Sequence, residues 1–205
     1  MKRSSHWMLG FAILSFSLAC SLLHLPFFSS SNTAEPTKGS ATTTPPADIS
    51  NSPFDTWQTF TNESYGFRLK YPPGGKIQEQ SDVYARVGLP FTEGTTLNDK
   101  YLEANVYLAA DPCASQAYGT DPSKTEKIQI HGTYWLKEEG GSAGAGSSHG
   151  WISYSTARGN VCINLIFTII STNPDMYDPT PPPYDSDAET AVFADIVSTF
   201  EWLDS

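Results

Sequence analysis

Residues 161–170 read Val-Cys-Ile-Asn-Leu-Ile-Phe-Thr-Ile-Ile, a run that is apolar on both of the faces a strand would present. A strand with one solvated face alternates apolar and polar residues, so a run of this kind predicts a central strand covered on each side. The chain around it supplies partners for a sheet. Val83, Ala85 and Val87 alternate, as do Leu102, Ala104, Val106 and Leu108. Ile128, Ile130, Tyr134 and Leu136 do so on either side of His131-Gly132, where the alternation resets as at a turn.

One covering layer is legible after the sheet. Val192, Phe193, Ile196 and Val197 recur at helical spacing, and Ser186 with Glu189 reads as a capping box that opens the helix. Before the sheet, Trp57 to Thr61 is a short aromatic and Thr-rich run, Asn62-Glu63-Ser64 supplies turn formers, and Phe67, Leu69 and Tyr71 alternate with Arg68 and Lys70. These predict a half-buried hairpin that ends at Pro72 and Pro73, which cannot donate to a ladder.

The words Tyr65-Gly66-Phe67 and Tyr71-Pro72, with a terminal helix running into Ser198-Thr199-Phe200, resemble the PsbP-like group of exported bacterial domains, named for an extrinsic photosystem subunit. The resemblance spans roughly residues 57 to 203. It implies an α+β fold, an antiparallel β-sheet covered by helices in an α/β/α-type sandwich. The photosystem role does not transfer, because no metal-binding or docking residue of that subunit has a match in this sequence.

The N-terminus sets the compartment. Lys2 and Arg3 precede a run from Trp7 to Phe28 without Asp, Glu, Lys or Arg. Those 22 residues, at about 1.5 Å each in a helix, reach about 33 Å, enough for a bilayer core of about 30 Å. The basic pair holds the N-terminus in the cytoplasm and places all that follows outside. Residues 1–28 are thus a signal anchor with an N-terminal membrane helix, or a lipoprotein signal lipidated at Cys20, or a secretory signal. Ser17-Leu18-Ala19-Cys20 matches a lipobox in part, but Ser21 to Leu25 continues largely apolar after it. Residues 29–52 hold 14 Ser, Thr or Pro among 24 and read as a spacer, about 27 Å long as a flexible coil. A single globular domain follows over 53–205, carried at the cell membrane on the extracytoplasmic side.

Composition excludes one class of partner. The chain carries 12 basic and 22 acidic residues, a net charge of −10. Phosphate backbones need clustered Lys and Arg, so nucleic acid is not an expected partner. Cys113 and Cys162 are the only cysteines beyond Cys20, and an oxidising compartment lets them close a disulfide. The alternative is two separate buried thiols.

Catalytic signatures are thin. His131 and His149 lack partners at metal-ligand spacing, and no Gly-x-Ser-x-Gly elbow occurs. Gly140 to Ser148 lacks the Lys-Ser/Thr ending of a phosphate cradle and reads as a flexible hairpin loop. Asp175, Asp178, Asp185, Asp187 and Glu189 make a calcium site conceivable, yet their spacing fits no EF-hand, and the last two suit a helix N-terminus. No cofactor and no metal is implied.

Aromatics are the remaining surplus. If Tyr134 and Leu136 face the core, Trp135 faces away from it, and Trp151 opens the next strand across the glycine loop. Exposed aromatics stack on sugar rings or anchor a protein partner. The alternative is that a second helix from Cys113, sequence CASQAY, covers them. The expected function is a membrane-tethered extracytoplasmic binding or accessory module without catalysis, its partner an unidentified protein or glycan. A cell-wall or glycan-contacting domain using Trp135 and Trp151 stands second, and an extracytoplasmic hydrolase third.

Overall fold

Val161–Thr172, strand β9, is the middle strand of a seven-stranded antiparallel sheet. The computed structural model describes residues 52–117 and 121–204. The expected anchor, Cys20 and all of the spacer but its last residue lie outside them. Among the described residues no helix is long and apolar enough to cross a membrane.

The large sheet runs β3 (Lys76–Gln80), β4 (Tyr84–Gly88), β5 (Leu97–Leu108), β9, β8 (Ser147–Arg158), β7 (Thr133–Gly144) and β6 (Lys124–Ile130). A smaller antiparallel sheet joins β1 (Gln58–Asn62) and β2 (Phe67–Tyr71), the expected hairpin, to β10 (Glu201–Trp202). The helix α1 spans Ser186–Ser198 and buries Phe193, Ile196 and Val197 as its spacing predicts.

Residue alternation divides β9 between two environments. Ile163, Leu165, Phe167 and Ile169 enter the main core with α1 and the small sheet, where Phe167 stacks on Phe193 at 4.6 Å between ring centroids. Ile166, on the opposite face, packs with Trp151 and Ala117. Both faces are covered, and the decapeptide is apolar on each apart from Asn164 and Thr168, which are buried on the Ile166 face.

Over its described residues the second cover is not an α-helix, and Ala117 stands in a 3-10 turn. Residues Cys113 to Gln116 are irregular, and among the described residues α1 is the single α-helix. The expected α/β/α arrangement is therefore an antiparallel sheet with one helix on one face and an irregular segment on part of the other. A disulfide from Cys113 to Cys162, with Cα atoms 5.6 Å apart, ties that segment to β9.

Two local expectations are also corrected. Asp185, not Ser186, caps α1, its carboxylate accepting from the Asp187 and Ala188 amides. Glu189 does not reach back in a capping box. It turns inward to Lys100 on β5 and accepts from the Thr92 amide. The glycine-rich stretch is strand rather than loop: Gly140 to Gly144 pair with Trp151 to Ser147, leaving only Ala145 and Gly146 in the turn. Both turn residues have positive φ, 50° and 81°, the backbone a two-residue hairpin demands.

Candidate functional site

The aromatic side chains are phased opposite to the expectation. Tyr134 is 74% exposed, while Trp135 is 2% and Trp151 4% exposed. The cause is the β6–β7 turn. His131 and Gly132 both adopt positive φ, 46° and 84°, and close a two-residue loop, so Ile130 faces Thr133 and Ile128 faces Trp135. Opposed residues share a face. Trp135 therefore joins the core beside Ile128, its ring 5.0 Å from that of Phe200, and Tyr134 is left outside. Trp151 is covered in part by the segment expected to lie over it, packing with Ala117 and Ile166. Its indole lies against Gly140 on the neighbouring strand, close enough that a Cβ there would collide with the ring. No exposed strip of tryptophan exists at these two positions.

Trp135 nevertheless borders a cleft of about 640 Å³. It forms because β7 and β8 part company. Their ladder ends at the Leu136–Ser155 pair, although both strands continue beyond it, β7 back to Thr133 against β6 and β8 on to Arg158 against β9. The pair that flanks a two-residue hairpin loop exchanges both backbone hydrogen bonds. Thr133 accordingly turns its amide and carbonyl to β6, and Arg158, flanking the Gly159-Asn160 loop, turns its own to β9. Alternation then aims the backbone groups of Tyr134 and Ala157 at each other across the gap. The rung that would join them is not formed.

The side chains around this wedge are aromatic and cationic. Lys127 is exposed and stands opposite Leu136, level with the closed end. Arg158 lies over the Trp202 ring at 4.6 Å and donates to the Leu203 carbonyl at 3.0 Å. Tyr134 and Trp202 add rings, and Cys113 Sγ stands 3.4 Å from the Thr156 carbonyl oxygen. Among the described residues, the lining contains no carboxylate. Nearby acids are engaged elsewhere: Glu139 Oε1 lies 2.6 Å from Lys137 Nζ, and Glu126 lies 3.5 Å from the same ammonium. The Lys137 hydrogen bond holds the Glu139 carboxyl below its ordinary range against the opposing effect of burial. The Trp135 Nε1–H is buried without a hydrogen-bond partner, an unmet donor in a residue that lines the wedge.

The other candidates do not converge. His131 Nδ1 lies 2.8 Å from the Ser198 carbonyl oxygen, at the surface. Among the described residues no group of three His, Cys, Asp or Glu side chains is placed to hold a metal ion. In the acidic stretch, Asp185 serves the helix cap and Glu189 the buried pair with Lys100. The arrangement in the wedge donates and accepts hydrogen bonds and attracts negative charge. Sequence reasoning passed over Ala157, Arg158 and Lys127. The His131-Gly132 and Gly159-Asn160 turns were visible signals for backbone parity, but the point where two strands separate leaves no mark in alternation.

No family model and no curated protein matches the chain. Among solved structures, a Bacteroides thetaiotaomicron protein is similar at 13% identity over 73% of this chain, with a TM-score of 0.48. This chain covers 50% of that protein's length. The Saccharomyces cerevisiae Ran-binding protein Mog1p is similar at 10% identity, covering 72% of this chain and 96% of its own, with a TM-score of 0.45. A mutant form of Mog1 matches at 10% identity over 73% of this chain and 97% of its own, with a TM-score of 0.47.

Proposed function

We propose that this is a PsbP-like, membrane-tethered, extracytoplasmic binding module without catalysis of its own, and that its partner enters the wedge between β7 and β8. The observation that carries the reading is the unformed rung between Tyr134 and Ala157, both of which line the cleft. A ligand that pairs with these two residues gains main-chain hydrogen bonds that the parted strands do not make with each other. The tether follows from the charge-free run Trp7 to Phe28 and the Ser/Thr/Pro-rich spacer behind it. A glycan-contacting role is the second reading, and it moves from Trp135 and Trp151 to Tyr134, the large ring that is exposed beside the wedge.

The test is a photocrosslinking side chain at position 134 of the full-length chain in its own membrane, with the same group at Ile77, exposed on the far edge strand, as control. Adducts are expected at 134 and not at 77. Equal labelling at both positions, or none at 134, overturns the wedge as the binding site.

A further inference from the structure

We infer that the occupant of the wedge is the free C-terminal end of an extended peptide, a conclusion that rests on the reading of that cleft as the binding site. Three features select it. Tyr134 and Ala157 each present one amide and one carbonyl to the gap from opposite sides. β7 and β8 run antiparallel, so a strand between them with its C-terminus at the closed end pairs antiparallel with β8, one residue taking both groups of Ala157, and parallel with β7, the residues on either side taking those of Tyr134; three consecutive peptide residues take up all four. Main-chain pairing of this kind is how a strand is added to a sheet.

The wedge also has a closed end. The Leu136–Ser155 pair bars a strand from running on between β7 and β8, so a chain inserted in the plane of the sheet must terminate there. Charge then decides which terminus. Lys127 stands level with the closed end and Arg158 toward the open one, with no carboxylate among the described lining residues. In a chain of net charge −10, such a cationic pocket attracts a carboxylate and repels an ammonium. A volume of about 640 Å³ lies within the range of small-ligand sites, so the wedge takes a chain end rather than a folded partner.

The experiment uses the full-length protein in detergent micelles and a random-sequence pentapeptide pool, prepared once with free C-termini and once as C-terminal amides. Hydrogen exchange resolved at the Tyr134 and Ala157 amides reports occupancy, and titration reports affinity. The free-acid pool is expected to slow exchange at both amides, the amide pool to bind at least tenfold more weakly, and Lys127→Glu to remove that difference. Equal binding of the two pools, or binding without protection of Tyr134 and Ala157, overturns the inference. The position-134 crosslink separates the two levels of the argument. An adduct that maps to a glycan or to the interior of a protein chain leaves the wedge as the binding site and overturns the C-terminal peptide. Absence of any adduct overturns both.

Discussion

Lys100 Nζ lies 2.6 Å from Glu189 Oε2, and the two side chains, on β5 and the first turn of α1, are 4% and 7% exposed. The pair fastens the helix to the sheet. Lys100 also donates to the Glu189 carbonyl at 3.2 Å, and the Thr92 amide donates to Oε1 at 2.9 Å, so the carboxylate is held from two directions.

Removing one partner leaves the other charge buried. Glu189→Ala is expected to cost about 3–5 kcal/mol in chemical denaturation, whereas the double change Lys100→Met with Glu189→Leu is expected to cost far less. Comparing the two variants in the domain from residue 53 measures the difference, and equal losses for the single and double variants would contradict the pairing.

The same pair makes stability depend on acid. Burial alone pushes the Glu189 carboxyl up, but the hydrogen bonds from Lys100 and Thr92 outweigh it and set the folded value below the ordinary 4.5. A carboxyl depressed by folding contributes in full above its unfolded value, and the contribution fades as the pH falls through the folded value. Wild-type protein is expected to lose melting temperature between pH 5 and pH 3, and Glu189→Gln to lose less over that window. Parallel pH profiles for the two would show that another group governs the acid limb.

Gly140 is glycine because Trp151 needs the space. Adding one methyl with Gly140→Ala drives it into the indole, and overpacking of this kind costs about 1–3 kcal/mol. Near-UV circular dichroism is expected to change with the stability. Gly144→Ala, where a Cβ meets no atom within 4 Å, serves as the comparison and should be nearly silent. Similar losses at both positions would mean that backbone freedom, not the ring, accounts for the glycines.

The Cys113–Cys162 disulfide closes a loop with a sequence separation of 49. On the chain-entropy model it contributes up to about 4 kcal/mol. Non-reduced mass spectrometry of exported protein should recover the linked peptides, and reduction should lower the melting temperature. Two free thiols in exported material would remove the bridge from the account.

Attachment is tested at Cys20. If the 22 charge-free residues from Trp7 to Phe28 anchor the chain as a helix, the protein stays in the membrane fraction after Cys20→Ser, with size unaltered. A faster wild-type band that carries acyl chains and is absent in the variant would favour the lipid anchor instead.

Local pattern determined much of this molecule. The decapeptide 161–170 announced the central strand, Phe193 with Ile196 and Val197 the buried stripe of a helix, and Phe67, Leu69 and Tyr71 the inward face of the first hairpin. Each is a statement about one element's periodicity, and periodicity survives without knowledge of the neighbours. What sits across from an element is another matter. Trp135 and Tyr134 exchanged places because the parity of a two-residue turn, not alternation along β7, decides which side chain shares a face with Ile128. Glu189 carries a capping-box pattern, yet a lysine 89 positions away draws it into the interior. The wedge belongs wholly to this second kind. Tyr134 and Ala157 look like ordinary strand residues, and only the divergence of β7 from β8 beyond Leu136 and Ser155 leaves their backbone groups facing without pairing. Strand separation is set by long-range packing on both sides of a sheet, and a single strand's sequence does not encode it.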